Sequence, residues 1–208
     1  MKKTSKTHLR SSELTRRSLL AVSLAAGLFP GATLAASQKQ AESMIFKVVG
    51  DVQNIINSGK SEAAMIKSFS GIFQDYAHVT SISRSIIGPA WNSASSADQK
   101  AYVAALQGYL SRKYGKQFRS FIGASIEVNG SKDFGRKGII VESTVKSPKF
   151  ADTKVEWHVV EQNGKLRFFD MYVAGVKLIT TERNEVRALL DRQGGSLGKL
   201  AQALNGLG

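Results

Sequence analysis

The sequence predicts an α+β fold: a layer of helices, then an antiparallel, twisted sheet of about four strands, then one or two closing helices. Three observations carry this. Up to Gly123 the apolar residues recur at spacings of three and four, one face of a helix; after Gly123 the period drops to two, that of a strand. Asn163-Gly164, between alternating apolar runs, is the strongest hairpin signal in the chain. A chain of 208 residues, 42% hydrophobic and 22% charged, is long enough for one well-filled core and short for two. With no internal repeat or linker, the simplest organisation is one domain over residues 37–193, preceded by a leader (1–36) and followed by a weak helix and frayed tail (194–208).

Each element follows from its pattern. Ile45, Val48, Val52, Ile55 and Ile56 mark a helix from Ala41 to Asn57, closed by Ser58-Gly59. Ser61 opens a second, with Met65, Phe69, Ile72, Phe73 and Tyr76 as its stripe. Val79, Ile82, Ile86 and Ile87 form a third, ended by Gly88-Pro89. Ser95 and Asp98 cap a long helix carrying Tyr102, Val103, Leu106, Tyr109, Leu110 and Tyr114, continued by Phe118, Phe121 and Ile122 up to Gly123. Ile126 and Val128 begin the first strand, with Asn129-Gly130 as a turn. Ile139, Val141 and Val145, then Val155, Trp157 and Val159, alternate with polar neighbours; Leu166 to Val173 makes the fourth strand. Thr180 and Thr181 precede a helix with Val186, Leu189 and Leu190, and Gly194-Gly195 separates a last one from Leu197 to Leu204. An antiparallel sheet with one apolar face needs a cover, and the helices supply it.

The first 36 residues read as an export label. Lys2, Lys3, Lys6, Arg10, Arg16 and Arg17 stand against the single acid Glu13, an apolar run follows from Leu19 to Phe29, and small residues cluster at Ala32, Ala35, Ala36 and Ser37. The run is shorter than the roughly 20 residues a membrane span needs. Thr15-Arg16-Arg17-Ser18-Leu19-Leu20 resembles a twin-arginine signal, and the expected cut lies between Ala35 and Ser37. The chain carries 29 Lys+Arg and 16 Asp+Glu, net +13. Without the leader, 23 cations and 15 acids remain, net +8, so much of the basicity says nothing of a nucleic-acid partner. A basic, exported chain without cysteine fits the bacterial periplasm.

Reactive chemistry is sparse. There is no phosphate-binding glycine loop, no Gly-x-Ser-x-Gly and no His-Glu-x-x-His. His158, opposite Asp170 on the next strand, offers an acid–base dyad for a pocket enzyme, or an ordinary solvated histidine. No His/Asp/Glu cluster has metal-ligand spacing. Aromatic residues are plentiful instead; they fill a core, line a cavity between helices and sheet, or present a face to a protein partner as a ligand-free adaptor.

Tyr76, Val79, Ser83-Arg84, Ile87-Gly88, Trp91, Asp98-Gln99-Lys100 and Tyr102 stand in an order that resembles the helical half of the periplasmic phospholipid-shuttle proteins of the Mla (toluene-tolerance) transport system. Tyr114-Gly115 and Phe118, Val155-Glu156-Trp157, Asn163-Gly164-Lys165, Phe169-Asp170, Val173-Ala174-Gly175-Val176-Lys177-Leu178 and Arg183 resemble its later segments and closing hairpin. The resemblance runs from about residue 41 to 193. This chain departs from the pattern at Phe168-Phe169, where a Trp is common, at Lys177 for Ser, at Lys100 for Arg and at Ala174 for an acid.

The resemblance implies a lipid cavity between sheet and helices and no catalysis. It implies a monomeric periplasmic carrier that holds phospholipid as cargo, needs no cofactor or metal, and binds no nucleic acid. Its partners would be an inner-membrane ABC transporter with a lipid-binding ring protein and an outer-membrane lipoprotein complex, and its role the maintenance of outer-membrane lipid asymmetry. The expected walls are Ile126, Val128, Ile139, Val141, Val155, Trp157, Val159, Phe168 and Val173 from the strands. From the helices they are Phe73, Tyr76, Ile82, Ile87, Tyr102, Leu106, Tyr109, Tyr114, Phe118 and Phe121. Arg84, Arg112 and Lys113 are candidates for headgroup or partner contact, or members of an ordinary solvated face.

Overall fold

A computed structural model describes residues 30–208, with side chains from Ser37 onward; the twin-arginine run and the apolar run to Phe29 lie outside the described residues. Helix α1 (Pro30–Ile56) extends upstream of the expected Ala41. The expected cut between Ala35 and Ser37 therefore falls inside it. Helix α2 (Glu62–Tyr76) is capped by Ser61, whose hydroxyl accepts the Ala64 N–H. Helix α3 (Val79–Ile87) is capped by a histidine: the His78 Nδ1 accepts the Ser81 N–H at 3.3 Å. A single turn, α4 (Ala90–Ser93), was not legible in the apolar pattern.

Helix α5 (Ser96–Gly115) is shorter than its aromatic pattern predicts. It stops at Gly115, and Phe118–Phe121 form a separate 3-10 turn. Gly115 is where α5 crosses α2: a Cβ there would meet Ile66 Cγ1 at 2.8 Å. The close approach that requires glycine is also where the helix ends.

The sheet has five strands in sequence order, all antiparallel: β1 (Ser125–Asp133), β2 (Ile139–Ser147), β3 (Phe150–Gln162), β4 (Lys165–Val173) and the two-residue β5 (Val176–Lys177). Asn163 and Gly164 both take positive φ (52° and 72°), as a two-residue hairpin of matching twist demands. Asn129-Gly130 is not a turn. The strand runs through it with a bulge between Val128 and Gly130, and the chain reverses later, at Phe134–Gly138. Cross-strand pairing to Glu142 and Val141 outweighs the local turn preference of Asn-Gly.

Helix α6 (Leu178–Arg192) begins before the two threonines expected to precede it. Helix α7 (Leu197–Asn205) stands where a weak last helix was expected, but it is firmly packed: Leu197, Leu200, Ala201 and Leu204 are buried, chiefly against α5. Its carbonyl end is closed by Arg112 of α5, which donates to Leu204 O at 2.7 Å and Leu207 O at 2.8 Å. Arginines from distant parts of the chain finish two other helices in the same way. Arg167 of β4 donates to Asp75 O at the end of α2, and Arg183 and Arg187 of α6 donate to Ser85 O and Ile86 O at the end of α3.

Since α7 completes the core rather than trailing from it, Leu204→Ala is expected to cost about 2–5 kcal/mol in urea unfolding. A change within about 0.5 kcal/mol would instead mark an exposed, dispensable tail.

Candidate functional site

The helices press on the sheet at one end and stand off at the other. At the packed end Ile139, Val141 and Val159 are buried and do not line the chamber. At the other, where β2 turns into β3 and β4 into β5, there is a chamber of about 480 Å³. Trp157 and Phe168 form its floor, their rings edge to face at 5.8 Å. The Trp157 indole N–H donates to Ser143 Oγ at 2.9 Å, which in turn donates to Val155 O, so the indole is satisfied within the sheet. Val48, Val52 and Ile56 of α1, Phe69, Ile72 and Phe73 of α2, Ile82 and Ile86 of α3, and Leu110 and Tyr114 of α5 supply the helical walls. Phe121 and Phe150, 5.3 Å apart edge to face, stand with Ile126, Val145, Thr153 and Val173 where exposed Gln117 and Ser120 mark the mouth.

Ten of the expected wall residues line this chamber: Phe73, Ile82, Tyr114, Phe118, Phe121, Ile126, Val155, Trp157, Phe168 and Val173. Nine do not. Val128, Ile139, Val141 and Val159 share the inward parity but do not line it: Val128 stands on β1 in the row of Ser143 and Val155, and Ile139, Val141 and Val159 are buried. Ile87 and Leu106 belong to the packed core. Tyr76 donates to Asp51 Oδ2 and joins α2 to α1, Tyr102 is buried with its hydroxyl toward Ser83 O, and Tyr109 donates to Glu185. The α1 stripe Val48–Val52–Ile56 was missed; its spacing of four marked a helix face and nothing more specific. Phe69, Ile72, Ile86, Val145, Phe150, Phe169, Met171, Leu178 and Ile179 also line the chamber.

Two buried carboxylates hold α6 over the chamber. Asp170 Oδ1 accepts the Met171 N–H at 2.8 Å and the Ile179 N–H at 3.1 Å, fixing the start of α6 to β4. Its Oδ2 has Lys177 Nζ at 3.5 Å, an ion-pair distance without hydrogen-bond geometry. One turn on, Glu182 Oε1 accepts from Lys113 Nζ at 2.8 Å and from the Tyr114 hydroxyl at 2.5 Å, fixing α6 to α5. Lys113 also bonds Glu185 at 2.6 Å, and Tyr109 donates to the same carboxylate. Burial disfavours the Lys113 charge, but its bonds to Glu182 and Glu185 outweigh that and hold its pKa above the ordinary lysine value. Burial, with the Glu182 charge and the Glu185 bond, pushes Tyr109 up to about 12; burial and the Glu182 bond raise Tyr114 further. The Lys113 bond draws Glu185 below the usual carboxylate value.

This corrects two expectations. Arg112 and Lys113, candidates for headgroup or partner contact or for a solvated face, are instead engaged in closing α7 and in the clamp on α6; Arg84 alone of the three is exposed. His158 and Asp170 are opposite in register, yet their side chains part: Asp170 serves α6, while His158 meets the edge of Phe169 and the Lys137 carbonyl.

An antiparallel sheet, covered on one face by helices that leave one apolar chamber with a mouth at its rim, defines a protein built to enclose a greasy molecule. Residues 47–206 match the MlaC protein family, and the chain belongs to that family. The match includes α7, beyond the reach of the sequence resemblance. The fold is shared with the phospholipid-binding protein from Ralstonia solanacearum, solved in complex with a phospholipid at 1.53 Å resolution. That structure has TM-score 0.67 and 16% identity, covering 80% of this chain and 95% of that one.

Asp170→Ala leaves the Met171 and Ile179 N–H groups without their acceptor and is expected to cost about 1–3 kcal/mol by thermal or urea unfolding; an unchanged midpoint would mean α6 is held otherwise. The raised tyrosines give an alkaline signature. Unfolded tyrosines ionise near pH 10 while the folded chain keeps these protons. Stability is therefore intact below about pH 10 and falls as the pH rises toward 12. Near-ultraviolet absorbance should show Tyr109 and Tyr114 ionising together with loss of helical circular dichroism; free titration near pH 10 in a folded chain would contradict the clamp.

Proposed function

We infer that this protein is an exported carrier that takes phospholipid acyl chains into the chamber, leaves the headgroup at the mouth, and passes the lipid between membrane complexes across the periplasm. The single observation that supports it best is the chamber itself, about 480 Å³ of apolar space in a member of the MlaC family. The volume lies within the roughly 300–1,000 Å³ usual for ligand pockets. The related fold from Ralstonia solanacearum, named for phospholipid binding, supports the same cargo. A protein-binding adaptor needs no such space.

The physics sets the mechanism. Each methylene removed from water is worth about 0.8 kcal/mol. Chains totalling on the order of 30 methylenes would resist release into water by about 20 kcal/mol before opposing costs. Spontaneous unloading is therefore slow, and a partner must offer a continuous apolar path at the mouth. The inner-membrane transporter with its lipid-binding ring and the outer-membrane lipoprotein complex are the partners this reading assigns. Phe121, Phe150 and Val173 are the residues across which cargo would pass. The leader fits export to the compartment between those membranes, and maintenance of outer-membrane lipid asymmetry is the role that such transfer would serve. The chamber supplies binding and exclusion of water; none of these steps calls on bond-breaking chemistry.

The test is organic extraction and mass spectrometry of chain purified without detergent, wild type beside two variants. Stoichiometric phospholipid is expected in the wild type. Ile126→Trp, at the half-buried mouth, should lower the lipid load with little change in melting temperature. Val141→Trp, at the packed end, should cost about 1–3 kcal/mol through overpacking. A wild type without lipid, or equal loads in wild type and Ile126→Trp, would overturn the reading.

A further inference from the structure

A second concavity, of about 620 Å³, lies outside the chamber, between α1, the end of α2 and the start of β4. Its character is opposite. Lys39 and Lys47 of α1 and Lys165 and Arg167 of β4 line it, against the single acid Asp75. The three lysines are exposed, and no ion pair engages them among the described residues. Arg167 places its guanidinium on the carbonyls of Gln74, Asp75 and Ala77, which fixes its charge at the groove wall.

The groove also holds an open sheet edge. The Asn163-Gly164 turn makes Gln162 and Lys165 a bonded pair, and bonds to β3 then alternate along β4. Arg167 therefore bonds inward, while Leu166 and Phe168 turn their N–H and C=O outward. The chain covers one of these groups itself: the His78 N–H donates to Phe168 O at 2.9 Å, beginning a bridge between Ala77 and Phe168. Leu166, next along the edge and lining the groove, has no such partner among the described residues.

We propose that this groove docks an acidic, extended segment of a partner protein, which adds to the β4 edge at Leu166 and sets its carboxylates against Lys39, Lys47 and Lys165. Edge addition uses the backbone groups the fold leaves open, and the lysines select the sign of the partner. A bilayer offers no extended backbone to pair with an edge amide. The chain's own residues 1–17 are the wrong sign, with six cations against Glu13. The groove lies apart from the chamber, so docking and cargo are separable.

The probe is a short fluorescent peptide of alternating glutamate and valine, added to the full chain, with a lysine–valine peptide and phosphatidylglycerol vesicles as comparisons. The acidic peptide should bind and shift the Leu166 amide resonance, and binding should weaken as salt rises. Lys39→Glu, Lys47→Glu and Lys165→Glu together should weaken it by roughly tenfold or more. Leu166→Pro removes an outward N–H that the sheet does not use, which an edge strand tolerates, and should abolish the Leu166-centred addition. Lipid load, measured on the same samples, should not change. No binding of the acidic peptide, equal binding by the charge-reversed chain, or binding only to vesicles would overturn the proposal, whatever the lipid load shows.

Discussion

A hollow inside a protein has to be held open, because its walls forgo the contacts that close packing would give them. Here the polar bonds on α6 do this. Its first turn is fixed to β4 through Asp170, and its second to α5 through Glu182, Lys113 and Tyr114. Both carboxylates are buried, and a buried charge keeps its place only while its partners do. Apolar packing is tolerant of sliding; these bonds are directional and fix α6 at two heights above the floor of Trp157 and Phe168. Leu178, Ile179 and Glu182 of the helix so fixed form one wall of the hollow.

The same logic explains how the basic residues are distributed. Five arginines and lysines near the helices, Arg112, Lys113, Arg167, Arg183 and Arg187, are engaged with carbonyl ends or carboxylates of other elements. They join pieces far apart in sequence where apolar contact alone would leave orientation loose. The cations outside this scaffold include the three lysines of the second groove, Lys39, Lys47 and Lys165. Net positive charge in this chain thus divides among residues 1–36, an internal scaffold and a surface.

Fold class, strand parity and the Asn163-Gly164 hairpin were legible because each rests on local periodicity or on a φ requirement of two neighbouring residues. What escaped depends on distant partners. Asn129-Gly130 looks like a turn, yet pairing with β2 carries the strand through it. The pattern of α5 runs on to Ile122, yet the helix stops at Gly115, where it approaches α2 closely. The chamber was half legible for one reason: Val141 and Val155 face the same way and are alike in sequence. Only the angle between helices and sheet makes one a packed wall and the other a lining. Lys113 as a clamp was not legible, since Glu182 lies 69 residues away, beyond the whole sheet in sequence.

The central claim, that fatty chains occupy the chamber, is tested most directly by a phospholipid carrying a nitroxide deep in one acyl chain, loaded onto the isotopically labelled protein. The account predicts strong broadening of the Trp157 indole and Phe168 signals, and weaker effects at Leu200 and Leu204 of α7. Broadening confined to the outer surface, or spread evenly over both ends of the sheet, would contradict it.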